Sequence, residues 1–336
     1  MAQITIEGSS PITFSCDESD TLMRAALRAG VGFPYSCNVG SCGNCRFQLL
    51  DGEVEHIQEA PPAWSERDLK RQRYLGCQAR PKSDCTIKLR QDDQYIPLHQ
   101  PQSMTARFVG KTDLTHDLAE FVFELDRAQP FLAGQYALIG VDGVDGPRAY
   151  SMCNLAGETS RWHFQIKRTP NGAMTRHLFE RLAEGDSVSI DGPFGTAFLQ
   201  TESERDILCL AGGSGLSPMI AIARAAAAHP ALSGRRFDFV FGGRRPEDVC
   251  GEEILRELPG FGSTLHFHAA ISEEMPDGSW DGHRGFVHSI AETLFGDDLQ
   301  HKEIYFAGPP MMAQAVQKML FEHQVPPEQV HFDEFY

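Results

Sequence analysis

Nine residues near the N-terminus constrain this chain more than any others. They read Cys37-Asn38-Val39-Gly40-Ser41-Cys42-Gly43-Asn44-Cys45, and a fourth cysteine follows in Leu75-Gly76-Cys77-Gln78. Cysteines spaced C-x4-C-x2-C, with a distant fourth, suit a [2Fe–2S] cluster. Each iron needs two thiolates in addition to the bridging sulfides. Three ligands can come from one short loop only if the backbone closes tightly, and Gly40 and Gly43 permit that, positive φ included. Backbone N–H groups of such a loop can point at the sulfurs and tune the potential. A structural zinc site usually shows paired C-x2-C knuckles instead. The expected metal ligands are therefore Cys37, Cys42, Cys45 and Cys77. A one-electron centre of this kind needs a source and a sink for its electrons.

The 336 residues allow two or three domains, and 41% hydrophobic residues suffice for their cores. A formal net charge of −16 argues against binding nucleic acid or an acidic membrane surface. The charge is uneven. Residues 1–99 carry 11 basic against 13 acidic side chains, residues 100–199 carry 9 against 12, and residues 200–336 carry 10 against 21. The acidic last third reads as a solubility feature rather than a docking surface. Beyond the four ligands, Cys16, Cys85, Cys153, Cys209 and Cys250 are odd in number and dissimilar in context, which fits free thiols in a reducing cytosol. The start shows no basic n-region or apolar h-region, and no window reaches 18 apolar residues. A cytoplasmic monomer without membrane attachment is expected.

Three regions with different periodicities follow one another. In the first, strands at 3–7, 12–15, 46–50 and 86–89 surround a helix from Asp20 or Thr21 to Ala29, with a polar helical piece at 65–73. These elements build a short helix on a small mixed sheet, with a metal loop at one edge. The second region has six short strands at 104–110, 119–125, 136–140, 149–154, 162–167 and 187–191, interrupted by a helix at 173–183; glycine punctuation at this spacing suggests an antiparallel β-barrel. The third alternates strands at 206–211, 237–241, 264–271 and 303–307 with helices at 218–228, 247–258, 286–295 and 310–324, the pattern of a doubly wound parallel sheet. The expected domains are 1–95, 104–200 and 201–336, with a proline-bearing linker at 96–103.

Each of the later regions carries motifs. Gly212-Gly213-Ser214-Gly215-Leu216-Ser217-Pro218 sits at a strand-to-helix junction, where glycines admit a phosphate and a helix N-terminus supplies partial positive charge. Gly308 and Pro309 follow another strand whose C-terminal end faces the same crevice. In the barrel region, Arg148-Ala149-Tyr150-Ser151 combines a bidentate cation, a flat ring and a hydroxyl. Gly172 and Thr175 open a helix that forms a second candidate phosphate cradle. Taken singly, these motifs also suit ordinary strands and helix starts.

Together, the motifs run in an order that resembles the electron-transfer reductases of bacterial multicomponent oxygenases. These join a plant-type ferredoxin domain to a ferredoxin–NADP reductase-like module, and the resemblance covers nearly the whole chain. It is carried by Cys37, Cys42, Cys45 and Cys77; by R-x-Y-S at Arg148, Tyr150 and Ser151; by G-x-x-[ST] at Gly172 and Thr175; and by G-G-x-G-x-x-P at Gly212, Gly213, Gly215 and Pro218. It implies an α+β multidomain protein: a β-grasp ferredoxin domain, a six-stranded antiparallel β-barrel for FAD, and an α/β doubly wound parallel-sheet NAD domain. It implies that Arg148 binds the FAD pyrophosphate, that Tyr150 stacks on the flavin ring, and that Ser151 lies near flavin N5. The ending His331-Phe332-Asp333-Glu334-Phe335-Tyr336 would place Phe335 over the ring and Asp333 nearby. Where the wider family usually has a cysteine before Gly-Pro, this chain has Ala307, which receives no catalytic role.

The implied activity is a relay from NADH to FAD to the [2Fe–2S] cluster, and then to a terminal oxygenase component or an intermediate ferredoxin. The likeness is to reductases of Rieske aromatic ring-hydroxylating dioxygenases, the carbazole and naphthalene kinds; reductases of diiron monooxygenases, such as the toluene monooxygenase type, share much of the pattern. Arg244 and Arg245 follow the second strand of the nucleotide domain, where the adenine ribose should lie, and the family's habit favours NADH over NADPH. Asn38 and Val39 are expected at the surface that meets the partner. A rival from another class is a non-catalytic ferredoxin whose C-terminal module only tethers a nucleotide or partner.

Overall fold

The computed structural model describes every residue except 233, 274–278 and 334–336, and every described side chain except that of residue 158. The first unit opens with the antiparallel pair β1 (Ala2–Ile6) and β2 (Ile12–Cys16). Thr21 then caps α1 (Leu22–Arg28) by accepting a bond from the Arg24 N–H, and Gly30 takes φ +73° just past its end. The chain continues through β3 (Arg46–Asp51), β4 (Val54–His56), α2 (Glu66–Lys70), β5 (Arg73–Leu75), β6 (Ala79–Pro81) and β7 (Cys85–Lys88). The main sheet has the order β2-β1-β7-β3-β5, with β1 and β7 parallel, while β4 and β6 pair beside it. Leu22, Met23, Ala26 and Leu27 of α1 are fully buried and share one core with Ile4, Ile6, Phe33 and Ile87.

The second unit comprises β8 (Gln102–Asp113), β9 (Leu118–Phe131), β10 (Tyr136–Gly140), β11 (Arg148–Ser151), β12 (Gly157–Lys167), α3 (Ala173–Glu180) and β13 (Ser187–Phe194). All six strands pair antiparallel in the order β11-β10-β13-β8-β9-β12, and a bridge between Met152 and Phe164 joins the two edges into a barrel. Alternation fills it: Phe121, Phe123 and Leu125 of β9 point inward beside Trp162, Phe164 and Ile166 of β12.

The third unit runs β14 (Asp206–Gly212), α4 (Leu216–Ala228), β15 (Phe237–Gly243), α5 (Glu252–Arg256), β16 (Leu265–Ile271), β17 (His283–Arg284), α6 (Val287–Phe295), β18 (Lys302–Ala307), α7 (Pro310–Glu322) and β19 (Val330–His331). Its sheet is wholly parallel, in the order β17-β16-β15-β14-β18-β19. Helices cover both faces. Ile207, Cys209 and Ala211 of β14 join the core under α4, whereas Leu208 and Leu210 join the core under α6 and α7. Burial on both sides is why β14 reads as an unbroken apolar run.

One expectation changes. The helix anticipated at 247–258 is a 3-10 turn, Pro246–Asp248, followed by the short α5. Gly251 between them takes φ +97°, and a Cβ there would lie 2.7 Å from Leu216 Cδ1. The Asp248 carboxylate caps the turn by accepting the N–H groups of Arg244 and Arg245. The chain ahead of the barrel is ordered as well. It forms a 3-10 turn at Asp93–Tyr95 and lies against the first unit so closely that a Cβ on Gly32 would sit 2.4 Å from the Asp92 carbonyl. The short strands β4, β5, β6, β17 and β19 carried no period-2 signal because each has only two or three residues.

The units share apolar packing, with Leu138 and Phe194 of the barrel in the core of the first unit, and polar side chains fix their angle. Arg28 spans the first two: its guanidinium takes both carboxylate oxygens of Asp191 at 2.8 Å, Asp20 at 3.0 Å and the Pro101 carbonyl at 3.2 Å. Three partners on one planar fork fix the angle between α1 and the barrel. Replacing Arg28 by Ala should lower stability by about 2 kcal/mol, as expected for hydrogen bonds to a charged group. Chemical denaturation would measure this, and trypsin should cut faster within residues 90–107.

Candidate functional site

The cluster loop is shaped by what holds it from behind. Arg24 of α1 donates from Nε to Asn38 Oδ1 at 3.0 Å and from Nη2 to the Asn38 carbonyl at 3.3 Å, and Asn38 takes φ 57°. Asn38 is therefore 1% exposed, and Val39 packs partly into the core. This corrects the expectation that these two face the partner. Ser41, Cys42 and Asn44 occupy the outer rim instead. Gly40 and Gly43 have φ +85° and +82°, and a Cβ on Gly43 would lie 2.4 Å from Arg46 Nη1.

The four cysteines come together without any disulfide. Cys45 and Cys77 sulfurs lie 3.3 Å apart, and Cys37 and Cys42 form a second hydrogen-bonded pair. The N–H groups of Ser41, Cys42 and Val39 point at Cys37 Sγ from 3.3, 3.4 and 3.5 Å. A bond from the Cys42 thiol and these amides hold the Cys37 thiol below its ordinary range despite burial. Asn38 Nδ2 is a buried donor without a protein partner beside the set. Two sulfur pairs, a nest of amides and an unpaired donor fit a [2Fe–2S] cluster.

The flavin motif lies on β11, the outer strand of the barrel sheet. Arg148 is exposed, and its Nη1 rests on the carbonyls of Asp145, Gly146 and Pro147 at 3.0–3.1 Å. It has no carboxylate within salt-bridge range among the described residues, so its charge stays available for a diphosphate. Burial raises the Tyr150 phenol, which stays protonated. Gly172 caps α3 without any side-chain bond, leaving first-turn amides open. Thr175 turns inward: its hydroxyl donates to the carbonyls of Thr169 and Gly172 and closes the turn. These residues fit an FAD.

The nucleotide turn is fitted against its neighbours. A Cβ on Gly215 would lie 1.9 Å from the Ala307 carbonyl, and Met312 Sδ lies 2.8 and 2.6 Å from where Gly212 and Gly308 would carry theirs. The two glycine loops, after β14 and β18, thus meet at the C-terminal edge of the sheet. Gly213 takes φ +57° under Lys167, whose ammonium pairs with Asp117 at 2.7 Å. Pro218 is buried in the first turn of α4, and Pro309 caps α7 at the surface. Arg244 is exposed, whereas Arg245 pairs with Glu273 at 2.6 Å. Phe335 lies outside the described residues. Asp333 Oδ2 lies 2.6 Å from where a Cβ on Gly195 would stand. Burial pushes this carboxyl up to about 7, although the Thr196 and Ala197 amides donate to it.

Three residues that the sequence reading gave no role join these sites. Tyr136 of β10 pairs with Ser151 of β11, is fully buried, and donates its hydroxyl to the Ser36 carbonyl at 2.5 Å, next to Cys37. Tyr35 returns the contact by accepting the Gly195 N–H at 2.8 Å. On the other side, Ser217 at the start of α4 donates to the Ser151 carbonyl at 2.6 Å and accepts the Gln165 N–H at 3.1 Å. Only Ser217 was within a motif already singled out.

Residues 4–82 match the 2Fe-2S iron-sulfur cluster binding domain, residues 105–198 the oxidoreductase FAD-binding domain, and residues 209–318 the oxidoreductase NAD-binding domain. The chain is 37% identical to the ferredoxin–NAD(P)+ reductase CarAd of Metapseudomonas resinovorans, over 100% of both chains. It belongs to the ferredoxin–NAD(P)+ reductase components of oxygenase systems. The reductase is also 34% identical to the ferredoxin–NAD+ reductase component of the alkene monooxygenase system of Xanthobacter autotrophicus, over 96% of this chain and 98% of that one. A solved ferredoxin reductase in carbazole 1,9a-dioxygenase superposes with a TM-score of 0.90 at 36% identity, covering 100% of this chain and 98% of the other. The reductase is therefore an oxidoreductase built for a [2Fe–2S] cluster, FAD and NAD. No helix of its described residues is long and apolar enough to cross a membrane.

Because Gly215 has no room for a methyl group, Gly215→Ala should push the two glycine loops apart. The KM for NADH should rise by about tenfold or more, equivalent to about 1.4 kcal/mol of binding. The visible absorption of flavin and cluster should stay unchanged, which steady-state kinetics and a spectrum would show.

Proposed function

We propose that the reductase takes electrons from NADH, through FAD and its [2Fe–2S] cluster, to the oxygenase or ferredoxin component of a Rieske-type aromatic ring-hydroxylating system. The observation that carries this reading is the convergence on Ser151. Its strand partner Tyr136 reaches the cluster loop, and its own carbonyl is tied by Ser217 to the nucleotide turn. Bound FAD would supply the exchange between the two electrons of a hydride and the single electrons a cluster carries. The chain supplies position and exclusion of water. Arg148 and the open amides after Gly172 would hold the diphosphate, Tyr150 would pack on the flavin ring, and Ser151 would present its side chain to the reacting edge. Gly212, Gly213, Gly215 and Pro218, with Gly308 and Pro309, would form the floor for the nicotinamide nucleotide. Phe335 is proposed as the cover of the flavin face.

Both stations lie in one chain, which supports a monomer as the working unit. Nine cysteines, all free, suit a reducing cytoplasm. A second reading, service to a diiron monooxygenase, is favoured by relatives named for alkene and phenol monooxygenases. Turnover with purified Rieske and diiron oxygenase components would separate the two.

The reading is tested by adding NADH anaerobically to the purified protein and following both flavin and cluster bands. Cys42→Ala should abolish reduction of a one-electron protein acceptor while NADH still bleaches the flavin. Loss of flavin bleaching as well would count against the division of labour. For the nucleotide, Glu273 neutralises Arg245 where a 2′-phosphate would need a cation, and Glu247 and Asp248 add negative charge nearby. NADH should therefore win over NADPH in kcat/KM, and Glu273→Ala should narrow that ratio by about tenfold, as expected for release of one close ion-pair partner.

A further inference from the structure

The cluster loop has two differently occupied ends. Its Ser36 end is closed by the barrel through Tyr136. Its Gly40–Arg46 end is covered by residues 61–64: the Ala63 N–H donates to the Gly40 carbonyl at 3.1 Å, and Pro61 Cβ stands 3.1 Å from where Gly40 would carry a Cβ. Arg46 braces this junction with bonds to the Gly43 and Ala63 carbonyls. From there the chain enters α2 and β5, where Arg67, Lys70, Arg71 and Arg73 are all exposed. None of these four makes an ion pair among the described residues. Asp68, the acid among them, is buried, caps its own helix through Ser65 and pairs with Arg46 at 3.5 Å. The remaining exposed acids along this stretch are Glu59 and Glu66.

This is an unusual surface for a chain of net charge −16. Arg67, Lys70 and Arg71 stand three and four positions apart and share one side of α2, and such a set of unpaired positive charges supplies the steering of a transient protein-docking site. We propose that the face formed by Arg46, Arg67, Lys70, Arg71 and Arg73 docks the electron-accepting protein, and that this acceptor presents acidic residues round its own redox centre. The inference rests on the relay proposed above and adds where the partner binds and what charge it carries. Asn38 and Val39, clamped from behind, take no part.

The test uses two protein probes of opposite charge, an acidic [2Fe–2S] ferredoxin and the basic cytochrome c, both reduced with NADH by the full-length holoenzyme. Reversing three exposed charges, R67E/K70E/R71E, should lower kcat/KM for the acidic ferredoxin by about tenfold or more, chiefly through KM, and should raise the rate with cytochrome c. The wild-type rate with the acidic ferredoxin should fall as salt is added, and the variant should lose most of that dependence. Bleaching of the flavin by NADH is followed alongside, so that a folding or cofactor defect is seen directly. A control pair on distant helices of the NAD domain, R256E/K318E, should leave both probes unchanged. The proposal is overturned if the triple variant treats both probes as wild type does, or if the control pair matches its effect. If the wild-type protein shows NADH bleaching but reduces neither probe, the acidic-acceptor assignment falls while the NADH-to-cluster reading stands. If NADH bleaches nothing, the relay itself fails.

Discussion

The hydroxyl of Tyr136 on the carbonyl of Ser36 is the contact on which the arrangement of the redox sites depends. It lies in a fully buried ring, and burial keeps the phenol protonated, so it remains a donor. The bond is part-buried, and an intramolecular hydrogen bond contributes about 0.5–1.5 kcal/mol net, so it resists separation of the two units. It also does what apolar packing cannot: it fixes one atom of the cluster loop against one strand of the barrel. Tyr136 faces Ser151 across the ladder, so the candidate flavin strand and the cluster loop keep a set register. Tyr35 and Arg28 make the same interface from the other side, with bonds to Gly195 and Asp191.

Given that anchor, the remaining units fall into place around one peptide. Ser217 ties the Ser151 carbonyl to the start of α4, which is the helix the glycine turn leads into. The turn is held in turn by the Ala307–Gly308 backbone, with no room for a side chain at Gly215. Nucleotide turn, flavin strand and cluster loop are therefore linked in sequence by a few polar contacts, set beside shared apolar packing in which Tyr136, Leu138 and Phe194 join the core of the first unit and Leu118, Ala133 and Cys153 that of the third. The other end of the cluster loop is not covered by the barrel but by residues 61–64, and the exposed basic side chains of α2 and β5 follow from there.

Much of this was legible in the residues. The cysteine spacing announced the cluster because metal ligation fixes both residue type and loop length. Short strands punctuated by glycine marked the barrel, and strand–helix alternation marked the parallel sheet, including the unbroken apolar run of β14. Glycines at 212, 213 and 215 marked a backbone approach. What misled was local reading of tertiary choices. Helix-favouring residues at 247–258 gave way to a turn because Gly251 must pass under Leu216 and Asp248 caps the backbone. Asn38 looked like a surface residue of a metal loop, yet Arg24, fourteen residues earlier, clamps it inside.

By itself the sequence determined the ligand set, the three-part organisation and the class of chemistry, because each of these is written in residue types at short, fixed spacings. Tertiary structure alone decided how the parts face one another. Tyr136 meets Ser36 across a hundred positions, Ser217 meets Ser151 across sixty-six, and Arg28 meets Asp191 across one hundred and sixty-three. Single hydrogen bonds between such distant residues leave no periodicity or spacing to read. They exist only once three cores have formed and brought their surfaces together.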